Sequence, residues 1–262
     1  VTYAHHLLEL PDATLYYETR GEGPVLVLIP GAGGDAGVYT EVAELLADSY
    51  TVVTYDRRGN SRSTLRHPLE ELTLTRQSAD VCRLIDAVGG GPARVVGSGA
   101  GAVVALDLVA RQPDYVDRMI AHDPGVLDVL PDVAAMRDRA DAMMRAFLRD
   151  GPRAAVDRLL SAVGTALPPD LAARLTGNPE LTFVHETRMI VDSVTDIPGL
   201  SAAAARFVIA VGCDQPNSHP YRAGRVIAER TGARLVEVPG DHWSFLKQPE
   251  TFAGMVVELF AA

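Results

Sequence analysis

The chain has 262 residues, 47% hydrophobic and 22% charged, enough to bury a large core within one domain. Its formal charge of −10 opposes the attraction that phosphate backbones and anionic membrane surfaces require, so neither nucleic acid nor membrane is an expected partner. No apolar run reaches the roughly 18 residues of a membrane span, and the first residues lack the layout of a signal peptide, which makes the cytosol the expected compartment. Cys82 and Cys213 are too few for a disulfide framework and have no CxxC spacing; both are expected to be buried apolar residues.

Short β-branched runs alternate with helical periodicity along the chain, as expected when helices cover both faces of a mostly parallel sheet. His5 and His6 fit an exposed position or an edge strand. Strands are predicted over residues 13–19 and 25–29, a helix over 38–47 and a strand over 51–55. Residues 75–88 carry Val81, Leu84, Ile85 and Val88 at helical spacing, one apolar stripe on a surface helix. Further strands follow over 94–96, 119–121, 207–211 and 235–238. Each ends beside Gly, His, Asp or Pro, where a site is expected.

Between about 124 and 200 the strand signal disappears. Val133, Met136, Ala140, Met143 and Phe147 mark an amphipathic helix there, within a helical insertion into a core made of 1–123 and 201–262. Its methionines read either as core filler or as an adaptable lining for an apolar ligand.

The segment Arg94-Val95-Val96-Gly97-Ser98-Gly99-Ala100-Gly101-Ala102 reads as a strand, a tight turn and the start of a small-residue helix. This is the layout of a nucleophile elbow, G-x-S-x-G, in which the central side chain attacks the substrate. Here the central residue is Gly99, which offers no hydroxyl, thiol or carboxylate. Ser98 is adjacent, but neighbouring side chains diverge on such a path, so its hydroxyl is expected to bond nearby backbone.

Three more segments join the elbow: Val27-Leu28-Ile29-Pro30-Gly31-Ala32-Gly33-Gly34, Tyr55-Asp56-Arg57-Arg58-Gly59-Asn60-Ser61-Arg62-Ser63, and Pro239-Gly240-Asp241-His242. In order and spacing the four resemble the α/β-hydrolase superfamily over essentially the whole chain. The resemblance implies an α/β fold with a mostly parallel central sheet, flanking helices and a helical cap insertion. It places His242 at the catalytic histidine and the backbone N–H groups of Ala32 and Ala100 at the oxyanion hole. The acid is either Asp214, after the next-to-last strand, or Asp123, in Ile120-Ala121-His122-Asp123-Pro124. The second placement is similar to the zearalenone lactonases and their bacterial relatives, where a Glu stands at this position, and Asp123 is the preferred choice. The Asp56–Arg57 loop implies a bracing role. His122 and His185 have no second ligand at i+3 or i+4, so they are expected as hydrogen-bonded side chains, with no metal and no cofactor.

Three functions fit these residues. One is an ester or lactone hydrolase whose nucleophile position holds Gly99, acting on a small hydrophobic or aromatic substrate. Another is a non-hydrolytic enzyme in which His242 and its acid act directly as a general base, with open space over Gly99 for water or a larger ligand. The third is a ligand receptor without catalysis.

Overall fold

The computed structural model describes residues 2–68, 71–163, 173–174 and 177–261. Its centre is decided by strand β3 (Val25–Ile29), whose sequence VLVLI has no polar face to offer water. Such a strand is stable only when covered on both sides, and Leu26, Val27, Leu28 and Ile29 are fully buried. The other strands are β1 (Tyr3–Glu9), β2 (Ala13–Arg20), β4 (Thr51–Tyr55), β5 (Thr64–Leu65), β6 (Ala93–Ser98), β7 (Val116–His122), β8 (Phe207–Gly212) and β9 (Arg234–Val238). They form one sheet in the order β1-β2-β4-β3-β6-β7-β8-β9, with β5 paired to β2. The pairings from β4 through β9 are parallel, whereas β1 and β2 run antiparallel at one edge.

Side-chain alternation divides the core between the two faces. Val27, Ile29, Val53 and Val95 meet α2 (Leu74–Ala87) and α3 (Ala100–Arg111), together with Tyr221 and Ile227 of the helix His219–Thr231. Leu26, Leu28, Val52 and Val96 meet Val42 and Leu46 of α1 (Thr40–Leu46) and Val256 and Leu259 of the helix Pro249–Ala261. Helix α2 begins where Thr73 Oγ1 accepts from Arg76 N at 3.3 Å, and Val81, Leu84 and Ile85 form its buried stripe.

Between β7 and β8 every described element is helical. The longest are α4 (Val133–Asp150) and α5 (Pro152–Val163), followed by a π-helical turn (Leu181–Glu186) that runs into α6 (Thr187–Asp192). Among the described residues no helix is long and apolar enough to cross a membrane.

One expectation is met and one changes. Residues 3–9 form an edge strand in which His5 is exposed and His6 Nε2 lies 3.2 Å from Thr19 Oγ1. Cys213 is exposed, unlike the buried Cys82, because it lies just past the end of β8 and outside the packed layers; both thiols are free.

The strands are registered so that their carboxyl ends line up: Ile29 pairs with Gly97, Ser98 with His122, His122 with Ala210, and Gly212 with Val238. From β3 the chain passes to β4 on one side and returns to β6 on the other. A crevice therefore opens between the loops that follow β3 and β6. Its width depends on Gly101, where an added Cβ would stand 2.1 Å from the Ile29 carbonyl oxygen and 2.8 Å from that of Pro30. These are backbone atoms at the end of the central strand and just past it, and cannot step aside. Gly101→Ala is expected to cost about 3 kcal/mol by overpacking, read as a lowered urea midpoint; an unchanged midpoint would refute this account of how α3 is seated.

Candidate active site

Strand β6 ends at Ser98 and α3 begins at Ala100, so the chain reverses within one residue. Gly99 makes that turn at φ 59° and ψ −118°, a conformation that L side chains rarely adopt. Its N–H donates to the His122 carbonyl at 3.1 Å, and its own carbonyl accepts from Ala102 N and Gly125 N at 3.1 and 3.2 Å. The tip of the elbow is thus tied to the end of β7.

His242 follows β9 in a loop that Asp241 shapes, accepting Trp243 N at 2.9 Å and pairing with Lys247 Nζ at 2.6 Å. The imidazole packs edge-on to Trp243 at 4.6 Å. Its Nε2 lies 3.0 Å, and its Cε1 3.1 Å, from where a Cβ on Gly99 would stand. The space above Gly99, expected to be open if the histidine acts alone on a substrate or water, is occupied by this ring edge.

On the opposite side of the ring, His242 Nδ1 faces Asp123 Oδ2 at 3.4 Å. Asp123 adopts φ 44°, a conformation uncommon for a side-chain-bearing residue. Two bonds to β8 hold it: Asp123 N donates to Ala210 O at 2.9 Å and Oδ1 accepts from Gly212 N at 3.1 Å. Burial pushes its carboxyl up, but charge on His122 and the facing His242 imidazole outweigh that and keep it below the usual carboxylate range. Asp214, the alternative acid, is exposed in the loop after β8, its carboxylate 3.8 Å from Cys213 Sγ. The structure therefore brings Asp123, and not Asp214, to His242.

Ala100 is the first residue of α3, so its N–H has no partner one turn earlier in the helix. Ala32 lies in the loop after β3, with its neighbours fastened on both sides. The Gly31 carbonyl accepts from Arg57 Nη2 at 2.8 Å, and Gly33 N donates to Glu186 Oε2 at 2.7 Å. Arg57 and Glu186 are themselves paired and almost wholly buried. Burial pushes the Glu186 carboxyl up, against the pull of Arg57 and of the Gly33 N–H. Asp56 supports the adjoining turn, accepting from Ala36 N at 2.8 Å and from Arg62 N at 2.9 Å.

Ser98 bonds a side chain rather than backbone. Its Oγ lies 2.7 Å from His122 Nδ1, because the two residues are register partners on adjacent strands. Burial pushes the His122 imidazole down to about 4, so it is neutral around pH 7. Among the described residues no group of three His, Cys, Asp or Glu side chains is placed to hold a metal.

These residues border a cavity of about 460 Å³, within the usual range for small-molecule sites. Gly99, Ala32, Ala100 and His242 line it from the sheet side, and Met136, Met143, Leu159 and Ile190 from the helices between β7 and β8.

The sequence model of the alpha/beta hydrolase family matches residues 26–255. The chain belongs to this family. An uncharacterized hydrolase, YraK, of Bacillus subtilis (strain 168) is 34% identical over 259 residues, 97% of this chain and 94% of the relative. A zearalenone hydrolase of Bionectria ochroleuca is 27% identical over 252 residues, 94% and 93% of the two chains. Among solved structures, the enol-lactonase from Burkholderia xenovorans LB400 superposes with a TM-score of 0.77 at 21% identity, covering 95% of this chain and 97% of that one.

In this family member Glu186 went unnoticed from sequence, since its partners are 129 and 153 residues away and nothing local marks it. Glu186→Ala would leave Arg57 buried without a counterion, at an expected cost of about 3–5 kcal/mol. Glu186→Gln, which keeps an acceptor for Gly33, should lose less; equal urea midpoints for the two variants would refute the account. His122 yields a pH prediction. The unfolded chain protonates it below its ordinary value of 6.5, whereas the folded chain keeps it neutral to about 4. Its contribution to stability is complete above pH 6.5 and declines by about 3 kcal/mol as the pH falls to 4. NMR titration should show the folded ring still neutral at pH 5, and protonation there would contradict the prediction.

Proposed function

We propose that this chain carries the site of an ester or lactone hydrolase whose nucleophile position is occupied by Gly99. In this reading His242 is the general base, Asp123 orients and balances its imidazole, and the N–H groups of Ala32 and Ala100 stabilise the oxyanion. The segment of about 124–200 serves as a cap closing over a small, mostly apolar substrate. The likeness to a zearalenone hydrolase supports a lactone or related ester.

The observation that carries the proposal is the position of His242 Nε2, 3.0 Å from the Cβ site of Gly99 at the tip of an elbow in the left-handed region. A base held there serves a hydroxyl on that carbon. Without it, the chain lacks the atom that would form an acyl-enzyme, and only binding and oxyanion stabilisation remain to accelerate hydrolysis.

Gly99→Ser is expected to raise hydrolysis of aryl esters and simple lactones by at least about 10³-fold over the parent chain. It should also lose on the order of 1–3 kcal/mol of stability to backbone strain. Adding His242→Ala or Asp123→Asn to the serine version should remove most of the gain, whereas Asp214→Asn should not. A folded Gly99→Ser protein that is no faster than its His242→Ala derivative would overturn the proposal. Turnover by the unaltered chain that disappears with His242→Ala would instead identify direct base catalysis.

A further inference from the structure

We propose that the cavity takes a substrate bearing a carboxylate, which Arg139 of α4 and Arg158 of α5 recognise. The inference rests on the reading of this cavity as the substrate site, but not on any turnover. The chain is acidic, with 34 Asp and Glu against 24 Lys and Arg, yet no Asp or Glu lines the cavity among the described residues. Among the described residues, Arg139 and Arg158 are its only lining residues with a permanent charge. The walls beside them, including Met136, Met143 and Leu159, are apolar.

Neither arginine has a carboxylate within 4.0 Å among the described residues, although α4 carries Asp138, Asp141 and Asp150 and α5 carries Asp157. Their neighbours behave differently: Arg149 pairs with Asp150 at 2.6 Å and Arg153 with Asp157 at 3.2 Å. Both are exposed and act on Asp132 and Asp150 through space without contacting them, and beside apolar walls such groups attract an anion more strongly than on the open surface. Guanidinium also matches a carboxylate through two parallel hydrogen bonds, and both side chains reach water, so an incoming anion need not displace an internal partner. An acidic lactone or ester could then leave its reacting carbonyl to the sheet side of the cavity, where Gly99 and His242 lie.

Trp243 allows a test without catalysis, because it is the single tryptophan of the chain and lines the cavity. Its fluorescence would be followed in the unaltered protein during titration with phenylbutyrate and, separately, phenylbutyramide, which differ in charge and little in shape. The acid should bind at least about tenfold more tightly than the amide, and added salt should weaken the acid alone. In an Arg139→Gln, Arg158→Gln double variant the acid and the amide should bind alike. Equal affinity in the unaltered protein, an acid preference that survives in the double variant, or no saturable signal with either compound at millimolar concentration would each overturn the proposal. An acid preference alongside an inactive Gly99→Ser protein would uphold the anion subsite and reject only the hydrolytic reading.

Discussion

The close passage of α3 over the end of β3 governs the rest of this structure. An added Cβ at Gly101 would lie 2.1 Å from a β3 carbonyl oxygen, and one at Gly97 would lie 2.3 Å from the Gly101 carbonyl oxygen. Only with both side chains absent can the helix start immediately after the strand and point its first N–H groups into the crevice. The left-handed residue between them follows from the same geometry, since the chain must reverse within one residue. That requirement accounts for the strained turn whatever the chemistry at Gly99.

Buried charge does the second part of the work, and its partners come from distant parts of the chain. Arg57 and Glu186 join the loop after β4 to the turn preceding α6, and between them fasten the two neighbours of Ala32. A buried ion pair adds little net stability, because desolvation offsets much of the attraction. Its effect here is on position: the loop bearing Ala32 and the helical segment over it cannot shift independently. Asp123 illustrates the same principle, its backbone bonded to Ala210 and its carboxylate to Gly212, so that the acid is aimed by β8 although it belongs to the end of β7.

Much of this was legible from sequence, for identifiable reasons. β3 follows directly from an uninterrupted aliphatic run, β4 from a short β-branched and aromatic one, and α2 from a stripe at helical spacing. The elbow and the loop bearing His242 stand out because glycine, proline and histidine occur where strand patterns stop. The edge strand β1 was less visible, because only one of its faces packs and its alternation is weak. The Ser98–His122 bond and the bracing by Glu186 were invisible for another reason. They depend on strand register and on contacts across more than a hundred residues, which local patterns do not encode. The exposure of Cys213 follows from its place in the loop after β8, which a thiol's apolar character does not reveal.

Gly99 alters its neighbours as well as the chemistry. The His242 ring is rigid and lies between the elbow and Asp123, so its two gaps are coupled. With no side chain at Gly99 the ring edge stands 3.0 Å from the Cβ position, tighter than nine in ten real Cβ contacts. On its far side the 3.4 Å separation between Nδ1 and Asp123 Oδ2 exceeds a good N–H···O distance. A retreat of a few tenths of an ångström would relieve the first gap and shorten the second into hydrogen-bonding range. A side chain on residue 99 would require the imidazole to give by a few tenths of an ångström, so the elbow residue bears directly on where the histidine can sit.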